Sequence, residues 1–300
     1  MLKRIMLPYG YGKTCNQLLQ IAHWIPAANE FEVPLYFPGF RRYAHLFSGT
    51  VNQRLPRFPR KAPGVGWPQA ALSRLCSYAA RVPHVNTIGL FFKVAGMLPG
   101  VVTFAWDDSG RARSMEPTKV IKDPRVAAGE SLWVRGWLYR DQAGVAKHKP
   151  CIKGFFSPVP EIQQRVDACI RQNREGNTVL VGVHLRRGDY RTWAGGKYYY
   201  DDNVFRRLMQ QMSKVLTDRK VRFLLVSNEP LDRSKYDGLD IAKGPSDPAG
   251  DLFSLAACDY IMGPPSTFTS WASLFGDVPL YTIHDPSAPL RLDGFTHSGA

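Results

Sequence analysis

Val179-Leu180-Val181-Gly182-Val183-His184-Leu185-Arg186-Arg187-Gly188-Asp189-Tyr190 is the stretch on which the reading of this chain turns. Its first half is a continuous apolar run, the pattern of a strand buried on both faces. Its second half places a histidine, two arginines and a carboxylate where that strand stops and a loop begins. In an open α/β sheet, ligands bind at that edge, outside the carboxyl ends of the strands. Adjacent guanidinium forks suit a diphosphate, because each donates two parallel hydrogen bonds to phosphate oxygens. The plainer alternative is a solvated basic loop closing on Asp189.

Working outward, the C-terminal half alternates short strands and helices. Glu161–Gln172 reads as an amphipathic helix, with Ile162, Val166, Cys169 and Ile170 about a turn apart. After the strand Val179–Leu185 come a helix over Asp201–Thr217, a strand over Phe223–Val226 and a short helix over Asp251–Ala257. A strand at Tyr260–Met262, a helix over Ser266–Phe275 and a last strand at Leu280–Ile283 follow. This alternation predicts a parallel, Rossmann-like sheet. The N-terminal half opens as a βαβ unit: a strand over Lys3–Pro8, a helix over Cys15–Ala28 and a strand at Leu35–Phe37. Residues 40–130 are harder to read. Arg54, Arg57, Arg60 and Lys61 interleave with prolines as a basic loop, Leu72–Arg81 and Leu90–Met97 suggest helices, and Val101–Trp106 a strand. An aromatic strand and turn spans Trp133–Tyr139. Two domains are expected, residues 1–150 and 151–300, with the boundary near 145–160.

Two further constellations bear on chemistry. Gly263-Pro264-Pro265-Ser266-Thr267-Phe268-Thr269-Ser270-Trp271 follows a strand and opens a helix. Ser266 or Thr267 can cap that helix, whose free N–H groups and partial positive charge then suit a phosphate. Asp251 stands at the head of the preceding helix. Spacing alone makes it a helix cap, but a carboxylate there can also accept two hydrogen bonds from the N1–H and N2–H₂ edge of guanine, which adenine lacks.

Bulk properties narrow the field. At 44% apolar and 12% aromatic, the 300-residue chain can bury a sizeable core, which argues against disorder. Its net charge of +14 attracts phosphorylated ligands, nucleic acid, anionic lipid or acidic glycans. Cys15, Cys76, Cys151, Cys169 and Cys258 show no CxxC spacing and read as free thiols of a reducing compartment. The first residues are too short an apolar run for a signal peptide, and nothing approaches ~20 uninterrupted apolar residues. A cytoplasmic protein is expected, with loose contact to an anionic membrane face.

Taken together, His184–Tyr190, Phe223–Asn228, and Ala257–Tyr260 leading into Ser266–Ala272 resemble the fucosyltransferase superfamily with the HxRRxDY signature. The nearest match is the bacterial α-1,2-fucosyltransferase group, glycosyltransferase family 11. Asn16-Gln17 echoes the Asn-Gln that follows a Gly-rich turn in that family, although the turn here is Gly12-Lys13-Thr14-Cys15. The resemblance covers residues 179–285, about a third of the chain. It implies an α/β, GT-B-like fold, two Rossmann-like domains facing a cleft, with GDP-fucose on the C-terminal domain and a glycan acceptor on the other. It implies inverting transfer without a metal or other cofactor. Carried over, Arg187 holds the β-phosphate, Arg186 supports it, His184 lines the nucleotide pocket and Asp251 reads guanine. Ser266, Thr267 and Ser270 contact the diphosphate. Asn16 and Gln17 lie on the acceptor side, and Asp189 orients an arginine. The catalytic base stays open among Asp189, His184 and a residue of the N-terminal half.

Other readings fit less well. Gly12-Lys13-Thr14 lacks the P-loop glycine five positions earlier, where Leu7 stands. A nucleic-acid-binding module is suggested by the charge and by Tyr198-Tyr199-Tyr200, but no RNP, KH, zinc-finger or helix-turn-helix pattern appears. A transferase of the same fold using another GDP-sugar, such as GDP-mannose, is the nearer alternative.

Overall fold

A computed structural model describes residues 1–63, 71, 89, 92–106 and 114–299. The chain divides into two compact units, residues 1–159 and 160–299. The division falls beyond residue 150 because Ser157 and Val159 hydrogen-bond back to Ser48 and Leu46. Those bonds carry the helix Lys149–Phe155 with the first unit. The expected helix over 72–81 lies outside the described residues, as do most of 64–91.

The second unit contains α6 (Pro160–Asn173), β6 (Val179–Leu185), α7 (Asp202–Val215), β7 (Val221–Ser227) and β8 (Ile241–Lys243). It continues with α8 (Pro248–Leu255), β9 (Tyr260–Gly263), α9 (Thr267–Gly276) and β10 (Leu280–Thr282). The sheet order is β10-β9-β6-β7-β8, all parallel. The sequence pattern does not mark β8, because only Ile241 and Ala242 of its three residues are apolar and all sit at a sheet edge.

All seven residues of β6 are buried, as its apolar run requires of a central parallel strand. The pleat then sorts side chains by parity. Val179, Val181, Val183 and Leu185 pack with Phe205, Leu208, Met209 and Met212 of α7. Leu180 packs on the other face with Cys169 and Cys258. On that face Gly182 admits α8 so closely that a Cβ would lie 2.5 Å from Leu255 Cδ2.

The first unit has β1 (Arg4–Met6), α1 (Thr14–Glu30), β2 (Leu35–Tyr36), β3 (Arg57–Phe58), β4 (Val101–Ala105) and β5 (Ser131–Arg135) among its elements. Its sheet runs β3-β2-β1-β5-β4, parallel except for the antiparallel edge strand β3. That edge strand sits inside the segment that reads as a basic loop. Prolines 56 and 59 flank it, which suits an edge and not an interior strand. Around Phe37, Phe40, Phe47, Phe58, Phe155 and Phe156 the aromatic rings meet edge to face and at a tilt, closing the core of this unit.

Candidate functional site

In chain order the strands of the second unit lie third, second, first, fourth, fifth across the sheet, so the order reverses between β6 and β9. Val183 pairs with Met262, which sets His184 level with Gly263 at the carboxyl edge. That edge, at the reversal, is where doubly wound sheets open a crevice for a ligand. The HLRRGDY stretch leaves from one lip of it and Gly263-Pro264-Pro265-Ser266 from the other.

The helix beyond the second lip is capped as expected. Ser266 Oγ accepts from the Phe268 amide at 3.2 Å. Ser270 Oγ and Thr269 Oγ1 both donate to the Ser266 carbonyl at 3.0 Å, so these hydroxyls tighten the first turn. Thr267 is the first helical residue and is half-buried. The ten-residue helix has its positive, N-terminal end at this carboxyl edge.

Parity separates the two arginines that sequence adjacency puts on one diphosphate. Arg187 continues the α7 face of β6, and its Nη2 donates to Asp202 Oδ1 in the first turn of α7. Asp202 also accepts from Tyr236 Oη at 2.5 Å and pairs with Lys235 at 3.3 Å. Burial pushes the Asp202 carboxyl up, but the bonds from Tyr236 and Arg187 outweigh it and hold it below its usual range. The backbone of Arg187 is fixed as well, its amide donating to Asn228 Oδ1 at 2.8 Å. Gly188 follows at φ +57°, and a Cβ there would meet Asn228 Nδ2 at 2.8 Å, so glycine suits this turn.

Arg186 goes the other way. Its guanidinium lies over the Tyr190 ring, 5.3 Å from the centroid, and Tyr190 Oη donates to the Pro265 carbonyl at 2.5 Å. Asp189 Oδ2 accepts from Arg186 Nη2 at 2.9 Å, with the carboxylate half exposed. Arg186 Nε is buried and finds no hydrogen-bond partner. Arg186 is thus linked through the Tyr190 ring to Pro265, the residue before the cap of α9, and is paired with Asp189.

His184 is 3% exposed and stacks on Phe268, ring centroids 4.9 Å apart. Desolvation, aided by the nearby Arg186 charge, pushes its pKa down to about 3. It is a neutral imidazole, poor as a proton acceptor.

Asp251 is not the cap that its spacing suggests. The helix begins three residues earlier, and Asp247 is the cap, accepting from the Gly250 amide at 2.9 Å. Asp251 is instead 6% exposed, at the carboxyl edge of β7 and β8. Its Oδ1 accepts from the Ser246 amide at 2.9 Å, and a Cβ on Gly244 would lie 2.6 Å from that oxygen. Burial raises its pKa to about 6. Its Oδ2 has no hydrogen-bond partner among the described residues. Sequence reasoning missed Asp202, Tyr236 and Phe268. The only trace of the first was the doubled acid Asp201-Asp202, of which Asp201 is the cap, accepting from Val204 at 3.0 Å.

In the first unit, Asn16 and Gln17 sit where β1 feeds α1. Gln17 is 5% exposed, its Nε2 donating to the Gly12 carbonyl at 3.3 Å while its Oε1 has no partner. A Cβ on Gly12, at φ +62°, would meet the Asn16 side chain, and Tyr11 Oη accepts from the Gly136 amide at 2.8 Å. No group of metal-binding side chains occurs among the described residues, and no helix there is long and apolar enough to cross a membrane.

No family model and no curated protein matches the chain. Solved structures do match. FUT1 of Arabidopsis thaliana, a point mutant in complex with GDP, is 11% identical with a TM-score of 0.59, over 98% of this chain and 72% of that one. NodZ α-1,6-fucosyltransferase co-crystallised with GDP is 14% identical with a TM-score of 0.58, over 94% of this chain and 95% of that one. NodZ from Bradyrhizobium gives 14% identity and a TM-score of 0.56, over 94% and 96%. The chain has the GT-B-like α/β fold of these enzymes, with two largely parallel sheets.

Proposed function

We propose that this chain is a fucosyltransferase that moves fucose from GDP-fucose to a glycan hydroxyl, with inversion and through an α-1,2 linkage, in surface polysaccharide or oligosaccharide synthesis. One observation carries the reading. The carboxyl edge of the second sheet, at its strand reversal, carries Arg186 just past β6, the start of α9 just past β9 and the buried carboxylate Asp251. These are the three chemistries that a guanosine diphosphate demands. The likeness to GDP-bound fucosyltransferases supports it at the level of fold.

Breaking a glycosyl–phosphate bond builds negative charge on the β-phosphate while the sugar turns cationic. In this reading Arg186 and the α9 amides hold that charge in place, so no metal is required. Arg187, tied to Asp202, keeps the loop at its post and adds positive charge behind it. Asp251 accepts from guanine through Oδ2, and His184 closes the pocket on Phe268 as a neutral ring. Ser266, Thr267 and Ser270 shape the helix start. The loose, oxocarbenium-like transition state asks little of a base, and Asp189 is the exposed carboxylate nearest Arg186.

The first unit carries a different kind of evidence. Residues 1–159 hold 22 Lys and Arg against 8 Asp and Glu, whereas residues 160–300 hold 17 against 17. All of the net charge thus belongs to the unit without the nucleotide site. This supports peripheral contact of that unit with an anionic membrane face, and in this reading Asn16 and Gln17 lie on the acceptor side.

The test is a thermal-shift titration with GDP, GDP-fucose, GDP-mannose, UDP and ADP in the presence of EDTA. A ligand that binds the folded state raises its melting temperature with concentration over affinity. Stabilisation by GDP and GDP-fucose alone is the expected result; an equal response to UDP or ADP, or none to any nucleotide, overturns the reading.

A further inference from the structure

Between β6 and α7 the chain lays out a row of rings that leads away from Arg186. Tyr190 lies 4.7 Å from Trp193 at 33°, and Trp193 lies 5.5 Å from Tyr198 at 34°. Tyr198 in turn meets His284, just past β10, at 6.5 Å. Trp193 is 48% exposed. Every other described tryptophan is buried or partly so, three of them completely. A half-bare indole forgoes part of the stabilisation that full burial of so large an apolar side chain would contribute.

The backbone holds it there at some expense. Ala194 adopts φ 51° and ψ 37°, followed by Gly195 and Gly196, also at positive φ. A residue with a Cβ is strained in this region, and such strain gathers at functional sites. The loop is also pinned on both sides of the row. Arg191 donates to both oxygens of Glu229 at 2.6 and 3.0 Å and lies over Tyr199, and Tyr190 is anchored to Pro265. The indole is thus presented by a fixed frame.

We propose that Trp193, flanked by Tyr190 and Tyr198, is the stacking platform for a neutral sugar ring of the acceptor glycan. The assignment rests on the transferase reading above. A pyranose has an apolar C–H face and a polar rim. The indole takes the face, while the Lys197 ammonium, 5.3 Å from the Tyr198 ring, and the exposed His284 offer donors to the rim. Stacked bases are the other ligand of such rings, but single strands also need a cationic groove along their phosphates. The second unit is neutral, 17 against 17, and Arg191 is already matched by Glu229. Charge therefore favours a neutral sugar.

The experiment labels the whole chain with 5-fluorotryptophan and follows its seven tryptophans by ¹⁹F NMR, with Trp193→Phe assigning the resonance. The GDP-loaded protein is titrated with chitotetraose, cellotetraose, maltotetraose and lacto-N-tetraose, and separately with poly(U). The expected result is that at least one oligosaccharide moves the Trp193 resonance. Trp193→Ala should then weaken that oligosaccharide about tenfold while leaving the GDP melting shift unchanged. Silence of the Trp193 resonance with every oligosaccharide, equal binding by Trp193→Ala, or tighter binding of poly(U) would each overturn the proposal. If GDP itself fails to stabilise the protein, the donor reading fails first, and the two failures are told apart.

Discussion

The two sheets of this chain share a plan and differ in nearly everything laid upon it. Each is a five-stranded sheet whose first strand pairs in parallel on both sides. The first is strongly basic, with short strands and an antiparallel edge; the second is electrically balanced, wholly parallel and built on a seven-residue central strand. Balance in the second unit is local as well as global. Arg186 has Asp189, Arg187 has Asp202, and Arg191 has Glu229. These three guanidinium groups are each held by a carboxylate, whereas the first unit carries an excess of 14 positive charges in its sequence. The comparison teaches that a basic isoelectric point describes the first unit and says little about the carboxyl edge of the second.

The sharpest way to break the contrast is at Arg186. Arg186→Ala removes that guanidinium, and turnover should fall about 100- to 1,000-fold with the melting temperature nearly unchanged. A folded variant with normal turnover would falsify the donor site as drawn.

Asp251 gives the next effect, and it has two signs. Its folded pKa, about 6, lies above the 3.8 of the free side chain, so the folded state holds its proton more tightly than the unfolded one. Stability is therefore lost as pH rises from 3.8 to 6. Asp251→Asn should stabilise the ligand-free protein at pH 7 by roughly 1–2 kcal/mol. The same change should weaken GDP about tenfold and leave ADP untouched, because guanine donors need the ionised carboxylate. In the wild type, the preference for GDP over ADP should grow as pH rises through about 6. Calorimetry at pH 5 and 7 checks both, and an unchanged preference removes the guanine role.

Asp202→Asn sharpens the difference between the arginines. It loosens Arg187 without touching the crevice, so kcat should drop by about tenfold or less, with the KM for GDP-fucose little altered. A loss as large as that of Arg186→Ala would put Arg187 on the phosphate after all. The smallest effect concerns the first unit. Vesicles containing 30% phosphatidylglycerol should co-sediment the protein at about 50 mM salt and release it at about 300 mM, as screening predicts. Binding that ignores salt would deny the basic surface a part in it.

How much could be read beforehand follows the same division. The second sheet was legible because a buried parallel strand is a plain apolar run, and because Ser266 caps where a serine after a strand should. Its partners were not. Arg187 finds Asp202 fifteen residues on, at the head of a helix whose own cap, Asp201, stands next door and explains the acid away. Asp251 was misplaced since Asp247 and Pro248 begin the helix earlier, a signal outweighed by the apolar run that follows. In the first unit β2 falls where the strand at Leu35–Phe37 is expected, but the two-residue β3 is too short to show periodicity, and proline interrupts the basic segment around it.

The His184 ring has a use beyond its place in the pocket. Its Nδ1 is buried and without a hydrogen-bond partner, and the ring stays neutral across the physiological range. Such a nitrogen is a quiet listening post: acid does not stir it and solvent scarcely reaches it. Its ¹⁵N chemical shift should stand still through a pH titration of the free protein and move when a nucleotide settles beside it, so one resonance would report occupancy in a crowded extract.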